Sequence, residues 1–187
     1  MSDLHLAPAL AELEALLPKL AALEKPLHQL GQRMMSCWEA RGKVLTAGNG
    51  GSAADAMHLA EELSIRFFKN RRALAALALC DASVITCAGN DFGFDSVFAR
   101  QIEALGNKND ILIVFTTSGN STNILKALEA AKSRNVFTVG FLGKDGGKAK
   151  AMCDLSLVVP AATPHRIQEG QKILYHALCE WIDGQVD

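Results

Sequence analysis

The sequence predicts an α/β fold, a three-layer sandwich around a five-stranded parallel sheet, with helices preceding it. Three observations carry this expectation. From Lys43 onward, short β-rich apolar runs alternate with helical segments, the pattern of a parallel sheet covered on both faces. Before Lys43 there is only a helical apolar stripe. At 187 residues, 49% hydrophobic and 21% charged, the chain can bury one good core but not two of ordinary size, so one structural unit is expected.

Leu13, Leu16, Leu20, Leu23, Leu27, Leu30 and Met34 recur in steps of three and four, a seam of coiled-coil character. Pro18 and Pro26 interrupt it, each suited to a kink or to the first turn of a new helix. One broken helix or two consecutive ones are therefore expected from about Pro8 to Arg41. Residues 1–41 are read as a helical oligomerisation segment and residues 42–187 as the main unit. The stripe either covers its own sheet or forms an assembly surface between subunits.

Strands are expected at Val44–Ala47, Ala73–Leu79, Asp110–Phe115, Phe137–Leu142 and Leu155–Val159. The helices between them fall at about Ser52–Phe67, Ser83–Asn90, Ser96–Leu105, Ser121–Ser133 and Gly147–Ala151, with a last one over His165–Asp183. In such sheets ligands sit at the carboxyl ends of the strands, so the strand-to-helix loops are where chemistry is sought.

Charge narrows the partners. With Lys plus Arg at 19 against Asp plus Glu at 20, no global field draws the protein to nucleic acid or anionic lipid. The longest apolar runs, such as Ala73–Cys80 and Ile111–Phe115, fall short of the roughly 18 residues that span a bilayer, so no membrane partner is expected. Asp3 and Glu12 stand where a signal peptide would be basic and then apolar, which points to a cytoplasmic protein. Cys37, Cys80, Cys87, Cys153 and Cys179 form no CxxC pair, which argues against both a disulfide framework and a thiolate zinc site.

Two loops could take an anion. Gly48-Asn49-Gly50-Gly51-Ser52 follows the first strand; its glycines allow positive φ and close backbone approach at a helix start. It lacks the GK[ST] of a P-loop and the third glycine of GxGxxG, and a plain turn with a Ser cap would use the same residues. After the third strand, Thr116-Thr117-Ser118-Gly119-Asn120-Ser121 gathers four hydroxyls where an N-cap needs one. O–H and N–H donors with the helix dipole make a neutral cradle for a phosphate.

Two helices carry polar groups. His58 and Glu62, four apart, share one helical face with Arg66, a pattern that suits a divalent ion, a base and its partner, or an ordinary Glu62–Arg66 ion pair. The last helix carries His165, Gln168, Glu169, Gln171 and His176 among apolar residues. Gln168 and His176 are eight apart, about 80° around and about 12 Å along a regular helix. If both serve one ion, either that helix is irregular or more than one subunit supplies the ligands. Gly89-Asn90-Asp91 offers an amide and a carboxylate that could grip sugar hydroxyls or end a helix.

Together these strings resemble the sugar isomerase (SIS) domain family, and within it the phosphoheptose isomerases. The resemblance rests on GNGGSAADAMHLAEEL (Gly48–Leu63), GNDFGF (Gly89–Phe94), TTSGNS (Thr116–Ser121), GKDGG (Gly143–Gly147) and RIQEG (Arg166–Gly170), with His176 beyond. It implies a flavodoxin-like sheet and a homotetramer with active sites between subunits. The implied activity is an intramolecular oxidoreductase, an isomerase acting on the sugar phosphate sedoheptulose 7-phosphate in heptose and lipopolysaccharide biosynthesis. The implied zinc ligands are His58, Glu62, Gln168 and His176, one Zn²⁺ per subunit, with Glu62 and His176 as the catalytic pair. The implied substrate contacts are Asn49, Gly50, Gly51, Ser52, Glu62, Asn90, Asp91, Thr116, Thr117, Ser118, Ser121 and Gln168. Three positions depart from the usual pattern: Thr116 stands for Ser, Gln171 for His, and His165 for an acidic residue. The competing expectation is a non-catalytic regulatory SIS protein resembling the DnaA initiator-associating type; such proteins tend to lack the equivalents of Glu62 and His176. A sugar-phosphate-sensing transcription regulator would want a DNA-binding segment or basic patch, and the sequence offers neither.

Overall fold

The structure is a computed structural model and describes residues 5–187, so Asp3, weighed above against export, lies outside the described residues. Strands β1 (Val44–Gly48), β2 (Ala76–Ala78), β3 (Ile111–Thr116), β4 (Phe137–Gly143) and β5 (Leu155–Val159) form one parallel sheet in the order β2-β1-β3-β4-β5. The order reverses between β1 and β3, which opens a crevice at their carboxyl ends. Gly48 is in register with Phe115, so the loops leaving β1 and β3 start side by side.

Side chains along β3 divide the interior. Ile111, Ile113 and Phe115 enter one apolar layer, Leu112 and Val114 the other. A strand buried on both faces has no polar side, which is why the run reads as continuously apolar. The first layer is covered by α1 (Leu6–Leu20), α2 (Glu24–Glu39), α3 (Gly51–Ser64) and α8 (Pro164–Asp183). The second is covered by α5 (Ala99–Leu105), α6 (Thr122–Ser133) and α7 (Gly147–Met152), with Ala88 of α4 (Ala82–Phe92).

The N-terminal stripe folds back on its own chain. Pro18 lies in the last turn of α1, a 3₁₀ turn over Ala21–Leu23 follows, and Pro26 sits in the first turn of α2, where its missing N–H costs nothing. Leu16, Leu20, Leu30 and Met34 are buried in the core while Leu13, Leu23 and Leu27 pack against it. Only Leu6, Leu10 and Leu17 of these two helices stay exposed as large apolar groups.

Three elements differ from expectation. The second strand shrinks to Ala76–Ala78 because the chain before it is tied elsewhere: Leu74 donates its N–H to the Leu63 carbonyl, 3.1 Å away, at the end of α3. The helix expected over Ser96–Leu105 is a 3₁₀ turn at Phe94–Ser96 and then α5, after Gly93 takes φ +85°. Finally, α3 stops at Ser64 and not Phe67.

Arg71 ends α3. Its guanidinium is buried and donates to the Glu62 carbonyl at 2.7 Å and the Leu63 carbonyl at 3.1 Å, two of the unpaired groups of a helix terminus. It also pairs with Asp183 at 2.7 Å, at the end of α8. The same carboxylate accepts the N–H groups of Phe68 and Lys69 at 2.8 and 2.9 Å. Burial works to raise the Asp183 carboxyl, but these hydrogen bonds and the Arg71 charge outweigh it and hold it below its ordinary value.

Breaking such a pair leaves a buried charge without its partner, so Arg71→Ala is expected to cost about 3–5 kcal/mol in urea denaturation. Because the Asp183 carboxyl is depressed in the fold, its contribution is present above the ordinary carboxylate value of 3.8 and is lost as pH falls through the lower folded value. Asp183→Asn is therefore expected to lower stability at neutral pH and to flatten the acid limb of a stability–pH curve.

Candidate active site

The glycine loop turns because side chains are absent from it. A Cβ on Gly48 would lie 2.4 Å from the Ser52 carbonyl oxygen, and Gly50 adopts φ +56°. Gly51 opens α3 with its Cα facing α8: a Cβ there would lie 2.6 Å from the Gln168 Nε2. Gln168 is thus seated on the glycine loop. Ser52 is buried, and the Asn49 side chain is held by Asn123 through two amide hydrogen bonds of 2.9 and 2.8 Å.

The hydroxyl loop sits beside it. Thr116 Oγ1 accepts the Gly119 N–H at 3.2 Å and Ser118 Oγ accepts the Asn120 N–H at 3.2 Å, so both side chains shape the turn. Gly119, at φ +65°, packs so closely on the next loop that a Cβ would come 1.9 Å from the Gly146 carbonyl oxygen. Ala149 donates its N–H to the Gly119 carbonyl and Lys148 donates its own to Asn120 Oδ1, at 2.9 and 3.1 Å. Thr117, Ser118 and Ser121 remain partly open, Ser121 as the N-cap residue of α6.

About two to three turns along α3 from the glycine loop, α3 and α8 bring three ligating side chains together. One atom each of His58, Glu62 and His176 lies within 4.8 Å of the others. His58 Nε2 is 3.0 Å from Glu62 Oε1, so the His58–Glu62 spacing serves this contact and the Glu62–Arg66 alternative is not formed. The His176 ring stands edge-on to His58, centroids 5.2 Å apart, and its Nε2 is buried with no hydrogen-bond partner among the described residues. An orphaned buried nitrogen is costly. Two imidazoles and a carboxylate converging on such a nitrogen form a donor set that suits a divalent ion. Burial, followed by the nearby His58 and Lys172, pulls His176 below its ordinary value, toward the neutral form that a ligand requires.

Behind His58 lies a polar cluster. Tyr175 is fully buried, with its hydroxyl 3.0 Å from His58 Nδ1, 3.3 Å from Asp55 Oδ1 and 2.6 Å from Lys172 Nζ. Lys172 Nζ also pairs with Asp55 at 3.0 Å. Burial pushes the Tyr175 phenol up to about 12, so it keeps its proton. For Lys172, burial acts downward but the hydrogen bonds to Tyr175 and Asp55 win, and the ammonium shifts up.

Other expected residues sit apart. α8 is regular over Pro164–Asp183, and Gln168 meets the glycine loop while His176 meets His58 and Glu62. Asn90 and Asp91 lie in the exposed last turn of α4, not in a loop, and among the described residues their side chains bond one another and Cys87. Gln171 is buried and donates to the Phe141 carbonyl at 2.8 Å, so this departure from the family pattern is turned into the sheet. His165 is exposed beside Thr163. Burial raises the thiols of Cys37 to about 11 and of Cys153 and Cys179 to about 12, as spectators require.

Residues 10–143 match the family model of the SIS domain. The chain is 45% identical over 184 residues to a phosphoheptose isomerase of Helicobacter pylori strain P12, covering 98% of this chain and 96% of that one. This chain belongs to the SIS domain family, among the phosphoheptose isomerases. A Campylobacter jejuni phosphoheptose isomerase is 48% identical over 162 residues, 86% of this chain and 87% of its own. Among solved SIS-domain structures, the phosphoheptose isomerase from Neisseria gonorrhoeae superposes with a TM-score of 0.90 at 41% identity, over 96% of this chain and 97% of that one. The parallel sheet with helices on both faces is therefore the fold of this family.

Sequence reasoning missed Asn123, Tyr175, Lys172 and Asp55. Asn123 follows the hydroxyl loop, but nothing local says that its amide reaches Asn49, 74 residues away. Asn123→Ala removes both bonds of that partly buried pair, and a loss of about 1–3 kcal/mol is expected in thermal or urea unfolding; an unchanged midpoint would mean that the pair does not hold the glycine loop.

Proposed function

We propose that this chain isomerises D-sedoheptulose 7-phosphate to D-glycero-D-manno-heptose 7-phosphate through a cis-enediol. The observation that carries this reading is the meeting of Glu62 and His176, from two helices, in one cluster with His58. Membership among the phosphoheptose isomerases supplies the substrate. A purely regulatory SIS protein has no use for such a cluster.

Moving a carbonyl between C1 and C2 requires removing a proton from carbon and returning it to the neighbouring one. Glu62 takes and returns that proton; His176 moves protons at the two oxygens. The phosphate rests in the hydroxyl loop against Thr117, Ser118 and Ser121, at the start of α6. Asn49, Gly50, Gly51, Ser52 and Gln168 face the sugar from the glycine loop side. Asn90 and Asp91 grip sugar hydroxyls from an exposed turn, an arrangement suited to a site completed by a second subunit.

His58, Glu62 and His176 would hold one Zn²⁺; because α8 is regular and Gln168 of the same chain meets the glycine loop, a Gln168 serving as fourth donor would come from a second subunit. The ion supplies polarisation of the substrate carbonyl. A carboxylate that is tightly engaged by an ion is a weaker base, so Glu62 must be free of it, or loosely held, when it takes the proton. The assembly is a homotetramer, with Leu6, Leu10 and Leu17 of α1 among the exposed large apolar groups that residues 1–41 bring to it. No described helix is long and apolar enough to cross a membrane, and we place the enzyme in the cytoplasm.

Purified protein incubated with several ketose phosphates, with and without chelator, tests the reading directly. Turnover of the seven-carbon substrate, lost with chelator and restored by Zn²⁺, is expected. Glu62→Gln is expected to abolish turnover while circular dichroism stays that of the unaltered chain; retained activity would reject Glu62 as the base.

A further inference from the structure

His58 can serve Glu62 or an ion through Nε2, and those two roles need different protonation of the ring. A carboxylate only accepts, so the 3.0 Å contact to Glu62 Oε1 requires a proton on His58 Nε2. Holding a metal through that nitrogen requires its lone pair, which puts the proton of a neutral ring on Nδ1. What faces Nδ1 therefore decides how readily the ring serves each role.

Nδ1 faces the Tyr175 hydroxyl at 3.0 Å, with Lys172 Nζ further off at 3.4 Å. An ammonium only donates, so it cannot accept a proton from Nδ1. The hydroxyl can both donate and accept, and its single proton has two acceptors in reach: His58 Nδ1 and Asp55 Oδ1, the latter at 3.3 Å. Lys172 donates to the phenol oxygen and to Asp55, which holds the oxygen in place whichever way its proton points. Asp55 and Tyr175 are both buried, so water does not readily substitute for these partners.

We propose that Tyr175, anchored by Lys172 and Asp55, is a positioning residue that lets His58 exchange its Nε2–H form for its Nδ1–H form. With Nε2–H on Glu62, the Tyr175 proton points to Nδ1. With Nε2 given to a metal, the Tyr175 proton turns to Asp55 and its oxygen accepts Nδ1–H. The ring carries one proton in both arrangements and the phenol carries one, so the count balances without a new donor. This inference rests on the metal reading above, and it adds residues that neither His58 nor Glu62 contacts would reveal in sequence.

The test is zinc affinity, measured by competition with a chromophoric chelator on the purified full chain, together with the imidazole resonances of ¹⁵N-histidine-labelled protein. Tyr175→Phe keeps the shape of the buried ring and removes only the hydroxyl. Zinc affinity is expected to fall roughly 10–100-fold, as for other lost partners of ligating histidines. In the zinc-loaded unaltered chain, the His58 Nδ1–H should appear as a slowly exchanging downfield signal, and it should be lost in the variant. Lys172→Met, at a side chain that is 44% exposed, gives a second arm if the first variant does not fold, with a weaker fall of at least about threefold expected. Zinc affinity within twofold of the unaltered chain in whichever variant folds overturns the role of Tyr175 and leaves the metal site standing. An unaltered chain that binds no zinc overturns both.

Discussion

The site depends on Arg71, a residue that touches none of the reacting groups. Its buried guanidinium joins the carbonyl ends of α3 to the carboxylate of Asp183 at the end of α8. Those two helices carry Glu62 and His176, and the Glu62 carbonyl is itself one of the groups Arg71 holds. Packing alone would let two helices slide by a fraction of a turn at small cost. A guanidinium that donates to fixed acceptors on both does not.

The sheet supplies the other half of the construction. With β1 and β3 adjacent and the chain leaving them toward opposite edges, the loops after both strands must open on the same crevice. The glycine loop then leads into α3 and the hydroxyl loop into α6, so two helix starts share one end of the sheet, while the α3–α8 cluster lies further along α3. A single topological reversal thus sets side by side two loops that are far apart in sequence.

Much of this was legible in the residues themselves. Strands buried on both faces announce themselves as apolar runs, and four of the five stand within a residue of their expected bounds because sheet pairing follows that pattern. Both loops could be found because they hold more glycines and hydroxyls than a turn needs. The convergence of His58, Glu62 and His176 could not be found by spacing, since nothing in a helical period says which two helices face each other. Tyr175 and Lys172 look like a core aromatic and a surface cation of the last helix. Arg71 looks like half of a basic surface pair with Arg72. Their roles come from partners more than 100 residues away in the chain, as with Asp183 for Arg71 and His58 for Tyr175.

The contact of Gly119 with Gly146 has a thermodynamic side. Backbone presses on backbone there, and the Ala149 and Lys148 amides lock the two turns together. If an anion binds there as proposed, a seat held in this way has little disorder left to surrender, and the hydrogen bonds it made would appear almost undiminished as affinity. It would also have little freedom to reshape itself around a guest of another outline, so selectivity at that end of the crevice would follow from stiffness.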